Sequence, residues 1–131
     1  MRDFLLLTST FQDILRDLGL PWPEKAVIEP PKDPRHGDLA TNLALVLTKQ
    51  AGMPPRALAE RLSAALTDKL GKLVGTDIAG PGFLNVTFAP AFWRQVVTTA
   101  EEEGERFGSS DTGHGRKIQL EYVSANPTGP L

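Results

Sequence analysis

Residues 74–88 read Val-Gly-Thr-Asp-Ile-Ala-Gly-Pro-Gly-Phe-Leu-Asn-Val-Thr-Phe, with polar and apolar side chains interleaved on both sides of Gly80-Pro-Gly82. Alternation with a period of two is typical of β-strands, and Gly and Pro between two such segments are typical of a tight turn. The pattern therefore predicts a β-hairpin with strands at 74–79 and 83–88.

The second predicted strand has two different faces. One face is apolar and suits a hydrophobic core; it carries Leu84, Val86 and Phe88. The other face is mixed and carries Phe83, Asn85 and Thr87. An exposed aromatic ring beside an amide can stack on an unpaired nucleobase and hydrogen-bond to its edge. The alternative is that Phe83 packs beneath a helix while Asn85 pairs with a neighbouring loop.

Helical periodicity predicts four α-helices around this hairpin. They run from Asp3 to Gly19, from Asp38 to Gly52, from Pro54-Pro55 to about residue 70, and from Pro90 to Gly104. A further short strand is predicted at 26–29. Helices interleaved with short strands favour an α+β fold, in which a small antiparallel sheet has helices packed mainly on one face.

Individual residues of these helices carry specific expectations. Asp38 is predicted to be the N-cap of the second helix. Asn42, an amide within an apolar segment, is predicted to fasten the preceding loop to that helix through hydrogen bonds. In the last helix, Phe92, Val96 and Val97 are predicted to face the core.

The composition is that of one globular domain, with 131 residues, 40% of them hydrophobic and 23% charged. The net charge of −2 argues against a general basic surface, so any contact with RNA must come from a local patch. There are no cysteines and only two isolated histidines, so no metal site is predicted. Neither a leader nor an apolar run of about 20 residues is seen, so we expect a cytoplasmic protein without a membrane span.

A polar cluster follows the last predicted strand. Residues 117–123 alternate as a strand does, and Asn126-Pro-Thr-Gly-Pro130 then supplies turn residues. Open α/β sheets bind ligands at the C-terminal ends of their strands. The candidates for a polar pocket rim at this place are Glu121, Ser124, Asn126 and Thr128. The alternative is an ordinary strand followed by a proline-rich surface turn.

Residues 121–131, Glu-Tyr-Val-Ser-Ala-Asn-Pro-Thr-Gly-Pro-Leu, resemble the segment of class I arginyl-tRNA synthetases that runs directly into their His-x-Gly-His signature. Gly37-Asp-Leu-Ala-Thr-Asn42 and Gly80-Pro-Gly-Phe-Leu-Asn85 resemble two further blocks of that family's N-terminal domain, in the same order. The resemblance implies an N-terminal tRNA-recognition domain at 1–107, a linker at 108–116, and the truncated start of a Rossmann-type catalytic domain at 117–131.

The resemblance also implies an activity. The complete enzyme would attach arginine to its tRNA with ATP and Mg²⁺, through an arginyl-adenylate, whereas this chain alone would be inactive and bind no cofactor. Positions matching the family's arginine site are Glu121, Ser124 and Asn126, and those matching its contact with the tRNA elbow, near the D-loop, are Phe83 and Asn85. The alternative is a stand-alone, non-catalytic RNA-binding or interaction module of the same fold.

Overall fold

The computed structural model describes residues 2–109, 111, 115–117 and 119. Its α-helices are α1 (Arg2–Asp17), α2 (Leu43–Val46), α3 (Thr48–Ala51), α4 (Pro55–Leu70) and α5 (Pro90–Glu103). Its strands are β1 (Ile28–Glu29), β2 (Leu39–Thr41), β3 (Val74–Ala79) and β4 (Phe83–Phe88). Single-turn 3₁₀ helices lie at Pro34–His36, Gly71–Leu73 and Gly104–Arg106. The predicted α+β fold class is confirmed.

The four strands form one antiparallel sheet in the order β1-β2-β4-β3. β3 and β4 form the predicted hairpin, in a register that runs from Val74 opposite Phe88 to Ala79 opposite Phe83. Its turn begins at Gly80, whose φ of 56° favours glycine. Because β2 pairs with the other edge of β4, β4 is an interior strand.

The core lies on one face of this sheet. α2 and α4 contact β4, α4 also contacts β3, and α1 packs against α4. The buried side chains include Leu84, Val86 and Phe88 from β4, Leu7, Phe11, Ile14 and Leu15 from α1, and Leu58, Leu62 and Leu66 from α4. Burying one such side chain stabilises the fold by about 1.5–3 kcal/mol, so their periodic placement determines which face the helices cover.

The predicted helix from Asp38 to Gly52 is wrong at its beginning. Leu39–Thr41 is strand β2, paired with β4, and α2 begins only at Leu43. Leu39, Leu43 and Leu47 are all buried, so their spacing of four fits a strand followed by a short helix as well as one long helix. The strand prevails because it supplies hydrogen-bond partners to the second edge of β4.

Asp38 and Asn42 both fasten neighbouring segments, as hydrogen bonds show. Asp38 is not an N-cap; its carboxylate accepts from the Phe88 backbone N–H at 2.7 Å. The Asn42 amide accepts from the Val27 N–H at 2.8 Å and donates to the Lys25 carbonyl at 3.0 Å. Asn42 therefore has a structural role, as predicted, but it holds the segment 25–27 that precedes β1 and not the loop directly before β2.

The last helix also corrects one prediction. Phe92 is buried and Val96 packs against the core, but Val97 is 57% exposed, because α5 presents only a narrow stripe to the core. Most of the strand predicted at 117–123, and residues 110 and 112–114 of the predicted linker at 108–116, lie outside the described residues. Within the part of the chain described, no helix is long and apolar enough to cross a membrane.

Candidate functional site

A cleft of about 430 Å³ opens on the face of the sheet opposite the helices. Its lining comes from two separate parts of the chain, the segments 27–42 and 79–85. The strands contribute Ala40, Phe83 and Asn85, and the connection between β1 and β2 contributes Pro31, Lys32 and His36. The volume lies in the lower part of the range of small-molecule sites, about 300–1,000 Å³, and suits a ligand of nucleotide size.

The strand register explains why these residues meet. Glu29 of β1 lies opposite Ala40 of β2, and Ala40 lies opposite Asn85 of β4. Directly opposed residues of antiparallel strands point to the same face of the sheet, so the three form one row. The methyl group of Ala40 takes little space between two longer side chains. The row therefore leaves a depression beside the Asn85 amide.

Asn85 is buried but incompletely paired. Only 4% of the residue is exposed, and its Nδ2 has no hydrogen-bond partner among the described residues. A buried donor without a partner costs about 1–3 kcal/mol of stability. Asn85 is also one of the residues that line the cleft.

Phe83, two residues earlier on the same face of β4, supplies an apolar surface. It is 43% exposed and lines the cleft, so the alternative in which it packs beneath a helix is wrong. An exposed aromatic side chain at a cleft can stack on the planar ring of a ligand, and a neighbouring amide can form hydrogen bonds with the edge of that ring. The two predicted tRNA-binding residues are thus brought together at one site.

The connection that borders the cleft is held tightly to β4. Gly37 has a φ of 117°, and a Cβ atom there would lie only 2.8 Å from the Val86 carbonyl oxygen and 2.9 Å from Thr87 Oγ1. The next residue, Asp38, donates its backbone N–H to that same Val86 carbonyl at 2.9 Å. Its carboxylate accepts from Phe88, as described above. Glycine at position 37 therefore allows the connection to approach the strand that carries Asn85.

The 3₁₀ turn within this connection is capped by an ion pair. The Asp33 carboxylate accepts from the Arg35 backbone N–H at 3.0 Å and from the Arg35 guanidinium at 2.7 Å. The side-chain contact with Arg35, followed by the backbone hydrogen bond, holds the pKa of Asp33 below its ordinary value and raises that of Arg35. The pair fixes the shape of the turn that ends at His36, while the charge of Arg35 is already matched.

Lys32 and His36 are the basic side chains that line the cleft. Neither side chain forms a hydrogen bond or an ion pair within the described residues, so both are available to a ligand. Glu29 is the carboxylate among the described lining residues. The cleft thus combines an aromatic surface, an unused buried donor and two basic groups.

The sequence did not identify the basic part of this site. The helix predicted from Asp38 conceals that the charged connection 32–37 lies against β4. A Gly-Asp pair following a charged loop, with a β-branched residue at Thr41, was the signal for a turn into a strand. The predicted arginine-site residues, Glu121, Ser124 and Asn126, lie outside the described residues.

Metal-binding donors are not assembled in the part of the chain described. Across residues 2–109 and the few described beyond them, no group of three or more His, Asp or Glu side chains is placed to hold a metal ion. The cleft itself offers one carboxylate and one imidazole.

Known proteins resemble this chain over nearly all of its length. Residues 6–88 match the family described as the arginyl tRNA synthetase N terminal domain, and this range contains every residue that lines the cleft. Proteins named arginine–tRNA ligase are 56% identical over the whole chain in Nitratidesulfovibrio vulgaris (strain Miyazaki F) and 44% identical over the whole chain in Lawsonia intracellularis. The relative in Oleidesulfovibrio alaskensis is 57% identical over 95% of the chain.

The chain spans about a quarter of the length of these relatives, 24%, 24% and 23% respectively. The match covers α1 from residue 6 onward, the whole four-stranded sheet and α4, and it ends with the last residue of β4. The four-stranded sheet and the cleft on its free face therefore fall within one family match, and the chain belongs to the arginyl-tRNA synthetase N-terminal domain family.

Proposed function

We propose that the domain formed by residues 1–107 binds tRNA(Arg) at its elbow, near the D-loop, through Phe83 and Asn85. The observation that carries the proposal is an exposed aromatic ring beside a buried, unpaired amide donor in one cleft. Stacking one base on an aromatic side chain is worth about 1–3 kcal/mol, and an acceptor on the base edge would satisfy Asn85 Nδ2.

The electrostatics fit recognition by shape rather than by general attraction. The chain carries a net charge of −2, so no broad basic field draws RNA to it. The cleft nevertheless has Lys32 and His36 in its lining. A local site of this kind gives a weak dependence of affinity on salt, unlike a basic groove that covers many phosphates.

The same proposal extends to the whole protein. It would activate arginine with ATP and Mg²⁺ and transfer the arginyl group from the adenylate to the tRNA 3′ end, as the names of the relatives suggest. Glu121, Ser124 and Asn126 would bind arginine at the start of the catalytic domain, 117–131, joined through the linker 108–116. The chain of 131 residues alone is expected to be inactive. The proposal places the protein in the cytoplasm, where its tRNA is found.

Binding of an arginine tRNA transcript to the purified chain tests the role of Phe83. Phe83→Ala is expected to weaken binding about 5- to 150-fold, the equivalent of losing one stacked base. The melting temperature should change little, because Phe83 is largely exposed.

The matched control for this experiment is Phe4→Ala. Phe4 is exposed to a similar degree, 41%, but lies on α1, on the side of the sheet away from the cleft. Equal affinities for the Phe83→Ala, Phe4→Ala and unsubstituted chains would refute the proposed function.

A further inference from the structure

We propose that the first turn of α4, on the core side of the sheet, positions Phe83 for the stacking that the proposed function requires. Pro55 and Arg56 act through the turn at residues 80–82, which connects β3 to β4 and directly precedes Phe83. This inference rests on the proposed function, because it takes Phe83 as the surface on which a base stacks. It adds two positioning residues that do not themselves line the cleft.

Gly82, the last residue of the turn, is in close contact with the first residue of α4. It is buried, and a Cβ atom at this position would lie 2.8 Å from Pro55 Cβ and 3.1 Å from the Pro55 carbonyl oxygen. Carbon atoms in contact lie about 3.5–4.0 Å apart, so a side chain at position 82 would force one of the two segments to move. The φ of Gly82 lies outside the left-handed region, so the close approach itself requires glycine.

Arg56 holds the other end of the same turn. Its guanidinium donates a hydrogen bond to the Gly80 carbonyl at 3.3 Å. Gly80 in turn lies beside the Phe83 ring, because a Cβ atom at Gly80 would be 3.9 Å from Phe83 Cδ2. The first turn of α4 therefore holds the turn at both of its ends, immediately before Phe83.

The helix is the more rigid partner in this contact. Four side chains of α4 are at most 1% exposed, so a shift of the helix would open cavities in the core; they are Leu58, Ala59, Leu62 and Leu66. The ring of Pro55 also fixes its own φ. The turn, by contrast, consists of two glycines and the exposed Pro81. A displacement forced at the contact is therefore taken up by the turn, and it reaches Phe83 at the next residue.

The backbone position of Phe83 determines how closely a base can approach its ring. Phe83 is 43% exposed, so the packing around the ring restrains it only in part. A gap of about 0.5–1 Å between two surfaces already removes about a quarter to a half of their dispersion attraction. A small shift of the turn is therefore expected to weaken stacking while leaving the core intact.

A double-mutant cycle on tRNA binding tests whether the turn acts through Phe83. Gly82→Ala is expected to weaken binding of the arginine tRNA transcript to the 131-residue chain about 5-fold, the lower end of the effect of one stacked base. In a Phe83→Ala background the same substitution should cause no further loss beyond about 2-fold, the scatter of independent sites. Gly75→Ala is the matched control in the same hairpin, because its Cβ atom would approach the Thr87 carbonyl oxygen no closer than 4.0 Å. Its affinity should be unchanged.

Arg56→Ala tests the second contact without a steric clash, and it decides the question if melting temperatures show that Gly82→Ala is unfolded. Arg56 is exposed, so this variant should fold. It should weaken binding about 2- to 10-fold, the contribution of one hydrogen bond, and the penalty should disappear in the Phe83→Ala background. Arg61→Ala removes the same charge from α4, beside Leu18 and Leu20, and should leave binding unchanged.

The outcomes separate this inference from the proposed function. If Phe83→Ala weakens binding but the turn variants do not, or if their penalties persist in the Phe83→Ala background, the positioning role is refuted and the base site stands. A persistent penalty of Arg56→Ala would instead indicate a direct contact of its charge with RNA. If Phe83→Ala does not weaken binding, the proposed function fails and this inference fails with it.

Discussion

Replacing Asn85 by leucine should make the domain more stable while impairing its proposed function. The buried Nδ2 lacks a partner among the described residues, and an unsatisfied buried donor costs about 1–3 kcal/mol. Leucine has the same branched outline and no donor, and it would lie between Ala40 of β2 and Asp77 of β3. The free energy of unfolding is therefore expected to rise by about 1–3 kcal/mol, with binding of tRNA reduced at least 10-fold, since 1.4 kcal/mol is tenfold.

Urea unfolding followed by tryptophan fluorescence measures the first effect, and a tRNA binding titration measures the second. The control is Thr41→Val, because Thr41 is equally buried but its hydroxyl accepts from the Leu43 N–H at 3.3 Å. That variant should lose about 0.5–1.5 kcal/mol, the net contribution of one hydrogen bond. A loss of stability in Asn85→Leu, comparable with that in Thr41→Val, would show that the amide is already satisfied and would refute the reasoning.

Three further predictions concern the connection beside the cleft. Asp38→Ala should lower the free energy of unfolding in urea by about 1.5–3 kcal/mol, because it removes the carboxylate that accepts a hydrogen bond from the Phe88 N–H of β4. An unchanged unfolding midpoint would contradict this. Gly37→Ala should lower the melting temperature more than Gly19→Ala, since both have positive φ but only Gly37 faces a close contact; equal losses would exclude the contact as the cause. The stabilising contact of Asp33 should persist above its ordinary pKa, near 3.8, and be lost only as the pH falls through its lowered pKa. A carboxyl NMR titration checks this, and Arg35→Ala should raise that pKa.

The sequence predicts those parts of the fold whose patterns have one interpretation. The alternation of residues 74–79 and 83–88 on the two sides of a Gly-Pro-Gly turn is typical of a hairpin, and the structure has the hairpin at the predicted bounds. Pro55 and Pro90 mark the first residues of two helices for the reason that proline fits the first turn. Local rules suffice at these places because backbone chemistry and hydrophobic periodicity agree.

The strand β2 could not be predicted because the interaction that makes it a strand is with residues distant in the sequence. Leu39, Leu43 and Leu47 have helical spacing, and only the free edge of β4, more than forty positions later, makes Leu39–Thr41 a strand. The same non-local pairing places Ala40 beside Asn85 and brings Lys32 and His36 to the cleft. Phe83 and Asn85 could be identified from strand alternation and family resemblance. Lys32 and His36 could be assigned to the same site only once the sheet topology was known.

The pairing of Ala40 with Asn85 also links recognition to folding. The cleft is made of two segments that meet only when β2 and β4 pair, so the unfolded chain has no such site. By thermodynamic linkage, a ligand that binds only the folded chain stabilises it by about 2.7 kcal/mol at a concentration of 100 times Kd. A tRNA bound as proposed would therefore stabilise the folded domain and would buffer it against destabilising substitutions that leave the cleft intact.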